Sequence, residues 1–391
     1  MMATPLRSKR CKMKTKIIRL LASLLLLSML FTMVACGGDT TDDPIDSGDV
    51  QDGGNDSESE SDSESESETE SELSEKELRR LRTIEYITYN IAFYDSTYNN
   101  GKDFEGGYAG QTASDYAISK RQERLKIFVE HYSPDVLALQ EVNHIWWPYL
   151  ITNEDSLLNK MGYQYTGNVS AYRQQNGAGS IDNELYNLLF WNPEKFELVE
   201  DGHFWLTKNG RPESGNADRS RMCTWAILRN KDTGFETLFA STHLVTGGNL
   251  EGKNESLNKS MGERLTATLT EKAAGRPIVV GGDYNMNEQS PCYQYITGDG
   301  GFMDTKYKAK TRLNITMASF RTWGRTTSWA TSGNPIDHVF FKGDIIIEKW
   351  NIMPDTVNDV TGKVTTSTGG SNFDISDHLG IYVKIREPDP K

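Results

Sequence analysis

The chain has 391 residues and a formal net charge of −13, and 37% of its residues are hydrophobic. An acidic balance of this size gives no sign of the broad basic surface with which proteins bind polyanions through charge alone. Of the four cysteines, only Cys223 and Cys292 lie beyond the N-terminal segment, which excludes both a disulfide framework and a zinc–cysteine cluster.

The N-terminal segment is typical of an export signal. Basic residues precede an apolar run over residues 20–35, and this run is short for a transmembrane helix, which needs about 20 apolar residues. It ends in Met33-Val34-Ala35-Cys36-Gly37, which resembles the lipobox of bacterial lipoproteins, where the Cys is acylated and becomes the mature N-terminus. We therefore predict a lipoprotein signal peptide over residues 1–36 with lipidation of Cys36, and secretion without a lipid as the alternative.

An acidic, serine-rich stretch follows the signal. Ser-Glu repeats cover residues 57–72, and 17 acidic residues lie between Asp39 and Glu77. A stretch with so few apolar side chains cannot bury enough surface to offset the entropy of an ordered chain. We predict a disordered linker over residues 37–80 and a catalytic domain over residues 81–391. In this interpretation the protein is anchored by its lipid to the cell membrane and faces the extracytoplasmic side.

Hydrophobic patterns predict the elements of the catalytic domain in chain order. Ile, Tyr and Thr over residues 83–93 predict a strand that ends near Asn90. The apolar run over residues 136–139 is typical of a strand buried on both faces. Between them a helix is predicted from Ser114 to Ser133-Pro134. Its apolar face is Ile118, Leu125, Phe128, Val129 and Tyr132.

The second half of the domain is rich in predicted strands. Antiparallel strands are predicted at residues 185–191, 196–205, 222–229 and 237–243. A helix with Leu257, Met261, Leu265 and Leu269 at fourfold spacing then leads into an apolar strand from Ile278. Alternation of Leu379, Ile381, Val383 and Ile385 predicts the last strand. Mixed helices and strands indicate an α/β sandwich, in which two packed sheets are covered by helices.

Polar side chains cluster where these predicted strands begin or end. Each has an ordinary explanation on its own, since Asp and Asn are common turn formers and a lone His is more often structural than catalytic. Their joint occurrence along one chain is more specific. The set comprises Asn90, Glu141, His243, Asp283, Asn285, Asp337, Asp377 and His378.

In this order and at these spacings, the motifs resemble the endonuclease/exonuclease/phosphatase superfamily. That superfamily includes pancreatic-type deoxyribonucleases, abasic-site endonucleases, neutral sphingomyelinases and inositol-polyphosphate phosphatases. The resemblance covers nearly all of residues 83–386 and implies an α/β fold, a four-layer α-β-β-α sandwich with two packed mixed β-sheets. It is carried by Tyr89-Asn90-Ile91, Leu139-Gln140-Glu141, Thr242-His243-Leu244, Gly282-Asp283-Tyr284-Asn285, Ile336-Asp337-His338 and Ser376-Asp377-His378.

The resemblance also implies a metal site and a group that handles water. Asn90 and Glu141 hold Mg²⁺ through hard oxygen ligands, with Asp377 joining them directly or through water, and Mn²⁺ or Ca²⁺ are the alternatives. Asp283 aligns or deprotonates the attacking water, and Asn285 forms a hydrogen bond with the phosphate. The cation is needed because a phosphodiester is anionic and repels hydroxide.

Two pairs of a histidine and a carboxylate complete the implied site. His378 is oriented by Asp337 and His243 by Glu184, and the two rings lie on either side of the scissile phosphate. Two assignments of the base remain open. Either Asp283 is the base while His378 holds the phosphate, or His378 is the base with its pKa raised by Asp337.

The leading functional hypothesis is a monomeric, metal-dependent phosphodiesterase. Its substrate is a phosphate ester, either nucleic acid or a phospholipid or sphingolipid headgroup. A surface binding module that has kept the fold and lost activity is the competing class. Trp146-Trp147 is either a membrane contact or part of the core. Candidate phosphate contacts are Arg173, Arg219, Arg221, Arg264 and Arg321.

Overall fold

The computed structural model describes residues 74–93, 111–168, 185–207, 221–246, 254–321 and 334–389. All of them belong to one compact unit, Glu70–Lys391. The predicted signal peptide with Cys36, and the predicted histidine partner Glu184, lie outside the described residues. Within the described part, no helix is both long and apolar enough to cross a membrane.

Six α-helices occur in the described residues, and two of them are long. In chain order they are α1 (Glu75–Leu81), α2 (Ile118–Tyr132), α3 (Leu157–Met161), α4 (Glu255–Ala273), α5 (Pro291–Thr297) and α6 (Thr305–Lys308). A 3-10 turn, Ala113–Tyr116, precedes α2. A π-helical turn, Pro148–Thr152, precedes α3.

Strands make up the centre of the molecule. In chain order they are β1 (Thr83–Asn90), β2 (Val136–Val142), β3 (Gln164–Thr166), β4 (Tyr186–Trp191), β5 (Phe196–Trp205), β6 (Met222–Asn230), β7 (Glu236–His243), β8 (Ile278–Asp283), β9 (Met303–Asp304), β10 (Thr311–Leu313), β11 (Asp337–Lys342), β12 (Ile346–Met353), β13 (Thr356–Asn358), β14 (Lys363–Thr365), β15 (Asn372–Phe373) and β16 (Gly380–Arg386).

The strands form two large mixed sheets and one small sheet. The first large sheet has seven strands in the order β10-β12-β16-β1-β2-β4-β3, and the second has six in the order β5-β6-β7-β8-β11-β9. Strands β1 and β2 of the first sheet and β7 and β8 of the second are parallel pairs, and β10 at the edge of the first sheet also pairs parallel with β12. The small sheet has the order β14-β13-β15.

Apolar side chains from both large sheets meet in a shared core. Ile84, Val136 and Val383 of the seven-stranded sheet pack in one cluster with Phe239 and Val279 of the six-stranded sheet. Two hydrogen bonds also cross between the sheets, from the Tyr86 hydroxyl to the Ala240 carbonyl at 3.2 Å and from the Gln140 amide to the Ser241 hydroxyl at 2.9 Å.

The outer face of each large sheet is covered by helix. Leu125, Phe128 and Val129 of α2 pack against the seven-stranded sheet. Met261, Leu265 and Leu269 of α4, together with α5, pack against the six-stranded sheet. The order of layers is therefore helix, sheet, sheet, helix, and the predicted α-β-β-α sandwich is confirmed.

Most predicted elements occur within a residue or two of their predicted ends. The first strand ends at Asn90, as predicted, and the chain turns at Ala92, which has a φ of 53°. The last strand begins at Gly380. Strands β5, β6 and β7 belong to the six-stranded sheet. Strand β4 belongs to the seven-stranded sheet, where it pairs antiparallel with β2 and β3.

Helix α1 lies over residues that the sequence analysis placed at the end of the linker. Ser74 and Glu77 form a capping box at its N-terminus, which satisfies two backbone amides. Arg79 forms an ion pair with Glu348 of β12 at 2.6 Å. The helix has no buried residue, so local capping and charge, rather than hydrophobic burial, account for it.

Candidate active site

Strand register brings the predicted site residues to one edge of the sandwich. Asn90 of β1 pairs with Gln140 of β2, directly before Glu141. In the facing sheet, His243 of β7 and Asp337 of β11 both pair with Asp283 of β8. Because β8 lies between β7 and β11, these three side chains share one end of the sheet.

Asp283 is the centre of the cluster. Its Oδ2 accepts a hydrogen bond from the Asn90 amide at 3.0 Å and lies 3.3 Å from His243 Nε2 and 3.7 Å from His378 Nε2. The residue is 2% exposed. Burial, and secondly the negative charge of Asp337, raises the pKa of Asp283 to about 7. A carboxyl group with this pKa exchanges a proton near neutral pH.

His378 lies next to two carboxylates. Its Nδ1 donates to Asp337 Oδ2 at 2.8 Å, which fixes the orientation of the ring. Burial by itself lowers the pKa of His378, but the charges of Asp337 and Asp283 outweigh burial and raise it well above its ordinary value. The imidazole is therefore positively charged at neutral pH.

His243 is held in the opposite state. Burial, followed by the positive charges of Arg221 and His378, lowers the pKa of His243 well below its ordinary value. Its ring is neutral near pH 7, and Nε2 accepts a hydrogen bond from the Asn285 amide at 3.0 Å. Nδ1 is buried and has no hydrogen-bond partner among the described residues. The partner predicted for it, Glu184, is outside them.

Asn285 is positioned by an unusual backbone. It has a φ of 50°, a left-handed conformation that Asn tolerates better than most residues. Its backbone amide donates to Asp283 Oδ1 at 2.8 Å, and its side chain donates to the Leu244 carbonyl at 3.1 Å. The turn after β8 thus orients Asp283 and Asn285 together.

Comparison with models of protein families identifies the family of this chain. The model of the Endonuclease/Exonuclease/phosphatase family matches residues 87–378, which is more than half of the chain and includes every residue of the cluster. The chain belongs to the Endonuclease/Exonuclease/phosphatase family. The superfamily resemblance predicted from the motifs is therefore confirmed.

Individual relatives of the family are distant. Nocturnin from Xenopus laevis is 23% identical over 276 residues, which cover 67% of this chain and 64% of that protein. Nocturnin from Homo sapiens is 24% identical over 234 residues, which cover 57% of this chain and 49% of that protein. The chain thus spans between about half and two thirds of the length of these relatives.

Solved structures of the family share the fold. An endonuclease/exonuclease/phosphatase family protein from Bacteroides thetaiotaomicron superposes with a TM-score of 0.58 at 19% identity, covering 78% of this chain and 95% of that one. A mannosyl-6-phosphatase from the same organism gives 0.56 at 20% identity, covering 77% and 99%. Likeness at this level supports the sandwich architecture alone.

Enzymes of the Endonuclease/Exonuclease/phosphatase family use divalent metals, and the residues present fit such an ion. Burial, and secondly the nearby charge of Asp377, raises the pKa of Glu141. Glu141 and Asp377 both line the cleft beside Asn90, and carboxylate and amide oxygens suit a hard cation. Two groups of acidic and histidine side chains, both including Asp283, also have ligand atoms within 4.8 Å of one another.

The cluster opens into a cleft of about 310 Å³. No Lys or Arg is among the described residues that line it. The sequence analysis did not single out Phe320, because it stands in a segment without a pattern, and it named Ile336 only as part of the motif Ile336-Asp337-His338. The lining residues are Ala92, Phe93, Glu141, His243, Thr246, Asp283, Asn285, Phe320, Ile336, Asp377 and His378.

The structure describes three of the five candidate arginines. Arg221, Arg264 and Arg321 do not line the cleft, and Arg264 donates to the Trp205 carbonyl at 2.6 Å. Arg173 and Arg219 lie outside the described residues.

The paired tryptophans and the two domain cysteines belong to the interior. Trp146 is buried in the core, and Trp147 packs against Tyr165 and Tyr186. Cys223 and Cys292 are both buried and unbridged. The aromatic pair therefore has the structural role that was one of its two predicted interpretations.

Proposed function

We propose that the chain is a divalent-metal-dependent phosphoesterase that hydrolyses phosphodiesters with an activated water. The observation that carries this proposal is the position of Asp283. One of its carboxylate oxygens lies within 3.7 Å of two imidazoles and 3.0 Å from the Asn90 amide. A proton acceptor, a charged donor and a metal-ligating carboxylate pair thus surround one cleft.

The protonation states distinguish the two histidines and favour Asp283 as the base. His378 is held in its charged form by Asp337 and Asp283, so it donates to a phosphate oxygen rather than removing a proton from water. Asp283, with a pKa of about 7, accepts the proton of the attacking water. Neutral His243, linked to Asn285, lies on the other side of Asp283.

Asn90, Glu141 and Asp377 are proposed to hold the divalent cation, with Mg²⁺ as the native ion. When bound there, the cation supplies charge that offsets the anionic phosphate. The Asn90 amide links this part of the site to Asp283 at 3.0 Å. Asn90 therefore couples the position of the metal ligands to that of the base.

The wall of the cleft favours a compact diester over a long polyanion. Phe93 is 39% exposed at the mouth of the cleft, and the ring of Phe320 lies 4.9 Å from that of His378. Apolar rings beside the reacting group favour a planar or apolar substituent on the phosphate. A lipid headgroup diester is the second candidate, because the proposed lipid anchor would keep the enzyme beside a membrane.

The location of the protein is a separate proposal that rests on its sequence. A signal peptide over residues 1–36, lipidation of Cys36 and a linker over residues 37–80 make it an exported, membrane-anchored enzyme. We propose that the protein acts as a monomer. Light scattering of the detergent-solubilised protein measures its oligomeric state.

A panel of substrates tests the activity. Plasmid DNA, RNA, sphingomyelin, phosphatidylinositol phosphates, a sugar phosphate and bis-p-nitrophenyl phosphate are each incubated with Mg²⁺, Mn²⁺ or a chelator. Hydrolysis of at least one diester that stops on chelation supports the proposal. Activity that chelation leaves untouched contradicts it, and so does a folded His378→Ala variant with full turnover. Metal-independent binding without turnover would instead identify a surface binding module.

A further inference from the structure

Arg121 is a buried cation directly behind the metal-ligand segments. It lies on α2, on the face that packs against the seven-stranded sheet, and its exposure is 0%. Burial lowers its pKa to about 10, against the opposing pull of Asp377, so the side chain is still charged at neutral pH. Burying an arginine is costly unless its donors are satisfied, and this position therefore calls for an explanation.

The guanidinium connects two segments that are distant in sequence. Nη2 donates to the carbonyl of Ile91 and to that of Ala92, the latter at 2.6 Å, while Nε donates to the Ile375 carbonyl at 3.0 Å. The Cζ atom of the group also lies 5.1 Å from the centre of the Trp146 ring. Trp146 donates to the same Ala92 carbonyl at 3.1 Å.

Each connected segment carries a proposed metal ligand. Ile91 and Ala92 follow Asn90 directly, at the turn where Ala92 has a φ of 53°. Ile375 stands two residues before Asp377. A further hydrogen bond, from the Ser376 hydroxyl to the Asn90 carbonyl at 2.7 Å, joins the two segments at their nearest point.

The third ligand is linked to the same framework. The Ile91 amide donates to the Gln140 carbonyl at 3.1 Å, next to Glu141. The Phe93 amide donates to Glu141 Oε2 at 2.9 Å. Displacement of the turn after β1 would therefore shift Glu141 as well as Asn90.

We propose that Arg121 is a positioning residue that sets the spacing of Asn90, Glu141 and Asp377 before the cation binds. This inference rests on the proposed metal site. The planar fork of an arginine places several N–H donors in fixed directions, which a lysine on a flexible stem cannot match. Preset ligands bind more tightly because the protein does not have to be ordered on binding.

Arg124 provides a matched control on the same helix. It is also buried, but it donates to both oxygens of Asp359, at 2.8 and 2.7 Å, and packs over the Phe373 ring. Its hydrogen bonds to Asp359 do not involve the segments that carry the proposed ligands, and its packing link to them is through Phe373, which clusters with Ala92. Arg124→Met therefore removes an equally buried guanidinium from α2 and leaves those segments in place.

The test measures Mn²⁺ binding by calorimetry and backbone hydrogen exchange on the full-length chain and its variants. We expect R121M and R121K to weaken Mn²⁺ binding roughly tenfold or more and to speed exchange of the amides of residues 91–93 and 376–379 roughly tenfold. R124M should stay within about twofold of the unmodified chain in both measurements. Saturating Mn²⁺ should restore most of the turnover of R121K.

Three results would overturn the proposal. They are unchanged Mn²⁺ affinity and exchange in R121K, equal losses in R124M, and exchange that increases along the whole chain rather than in the two segments. R121K keeps the charge and most of the volume, so it serves if R121M does not fold. If the unmodified chain binds no Mn²⁺, the proposed function fails, while the exchange measurement still decides whether Arg121 orders these segments.

Discussion

The position of Asp283 and its proposed role as a base have opposite effects on its ionisation. Its buried position opposes ionisation and raises its pKa to about 7, yet as a base it works only when ionised. We expect turnover of bis-p-nitrophenyl phosphate to be lost as the pH falls through the pKa of Asp283. Turnover should also be lost as the pH rises through the pKa of His378. A rate profile that is flat between pH 5 and 10 would contradict both assignments.

The same residue should lower the stability of the metal-free protein. The pKa of Asp283 is higher in the folded than in the unfolded chain, so the protonated carboxyl favours the folded state relative to the ionised one. This contribution to stability is complete below the unfolded pKa of about 3.9. That contribution is lost as the pH rises toward 7. We expect Asp283→Asn to be about 1–2 kcal/mol more stable than the unmodified chain at pH 8.5 in chelator, and to lose most turnover. Urea unfolding measures the free energy of unfolding of both proteins. The control is the same measurement at pH 5.5, where the gain in stability of Asp283→Asn should be smaller.

Asp337 acts on the reaction through His378. Its carboxylate accepts from His378 Nδ1 at 2.8 Å and raises the pKa of that ring. Asp337→Asn should therefore lower the pKa of His378, so that activity at alkaline pH disappears at a lower pH than in the unmodified chain. The pH dependence of kcat/KM measures the shift. An alkaline limit that stays in place would show that His378 is not the group that must be protonated.

At the scale of an element, strand β8 packs closely against β1 of the facing sheet at Gly281 and carries Asp283 at its end. A Cβ added to Gly281 would meet the Tyr86 hydroxyl at 2.3 Å and Thr88 Cβ at 2.8 Å, both on β1 of the facing sheet. The two sheets therefore approach closely at Gly281, two residues before Asp283. The glycine therefore allows the Asn90 side of the site to reach Asp283.

We expect Gly281→Ala to cost about 1–3 kcal/mol of stability, since the added methyl forces the sheets apart in a close-packed core. It should also reduce turnover, because Asn90 and Asp283 move away from each other. Gly380→Ala is the control, since its Cβ would meet Tyr89 and Met353 at an ordinary 3.5 Å. Urea unfolding compares the two variants, and equal losses would show that the close approach at Gly281 is not what matters.

For the whole molecule, anchoring and catalysis are separable. The sandwich and its cleft are formed by residues from 74 onward, whereas the proposed lipid is attached at Cys36. Cys36→Ser should therefore move the protein from the membrane to the soluble fraction of the host while kcat stays within about twofold. Fractionation and fatty-acid labelling measure the change. A variant that remains in the membrane fraction would disprove lipidation as the anchor.

Local sequence determined much of the architecture and nearly all of the candidate site. Runs of strand-forming residues are a local feature of the sequence, so β5 was predicted with both of its ends and β7 to within one residue. The site residues could be identified from the sequence because they are polar residues at the ends of apolar strands. Glu184 and the residues before position 74 remain predictions.

Only the tertiary structure decided how distant segments meet. The placement of β4 beside β2, the aromatic wall at Phe320 and the contacts of Arg121 depend on packing between residues far apart in sequence. The charge states of His243 and His378 were equally undetermined, because the two residues are chemically identical. Their opposite pKa shifts come from burial and from which charges the fold places beside each ring.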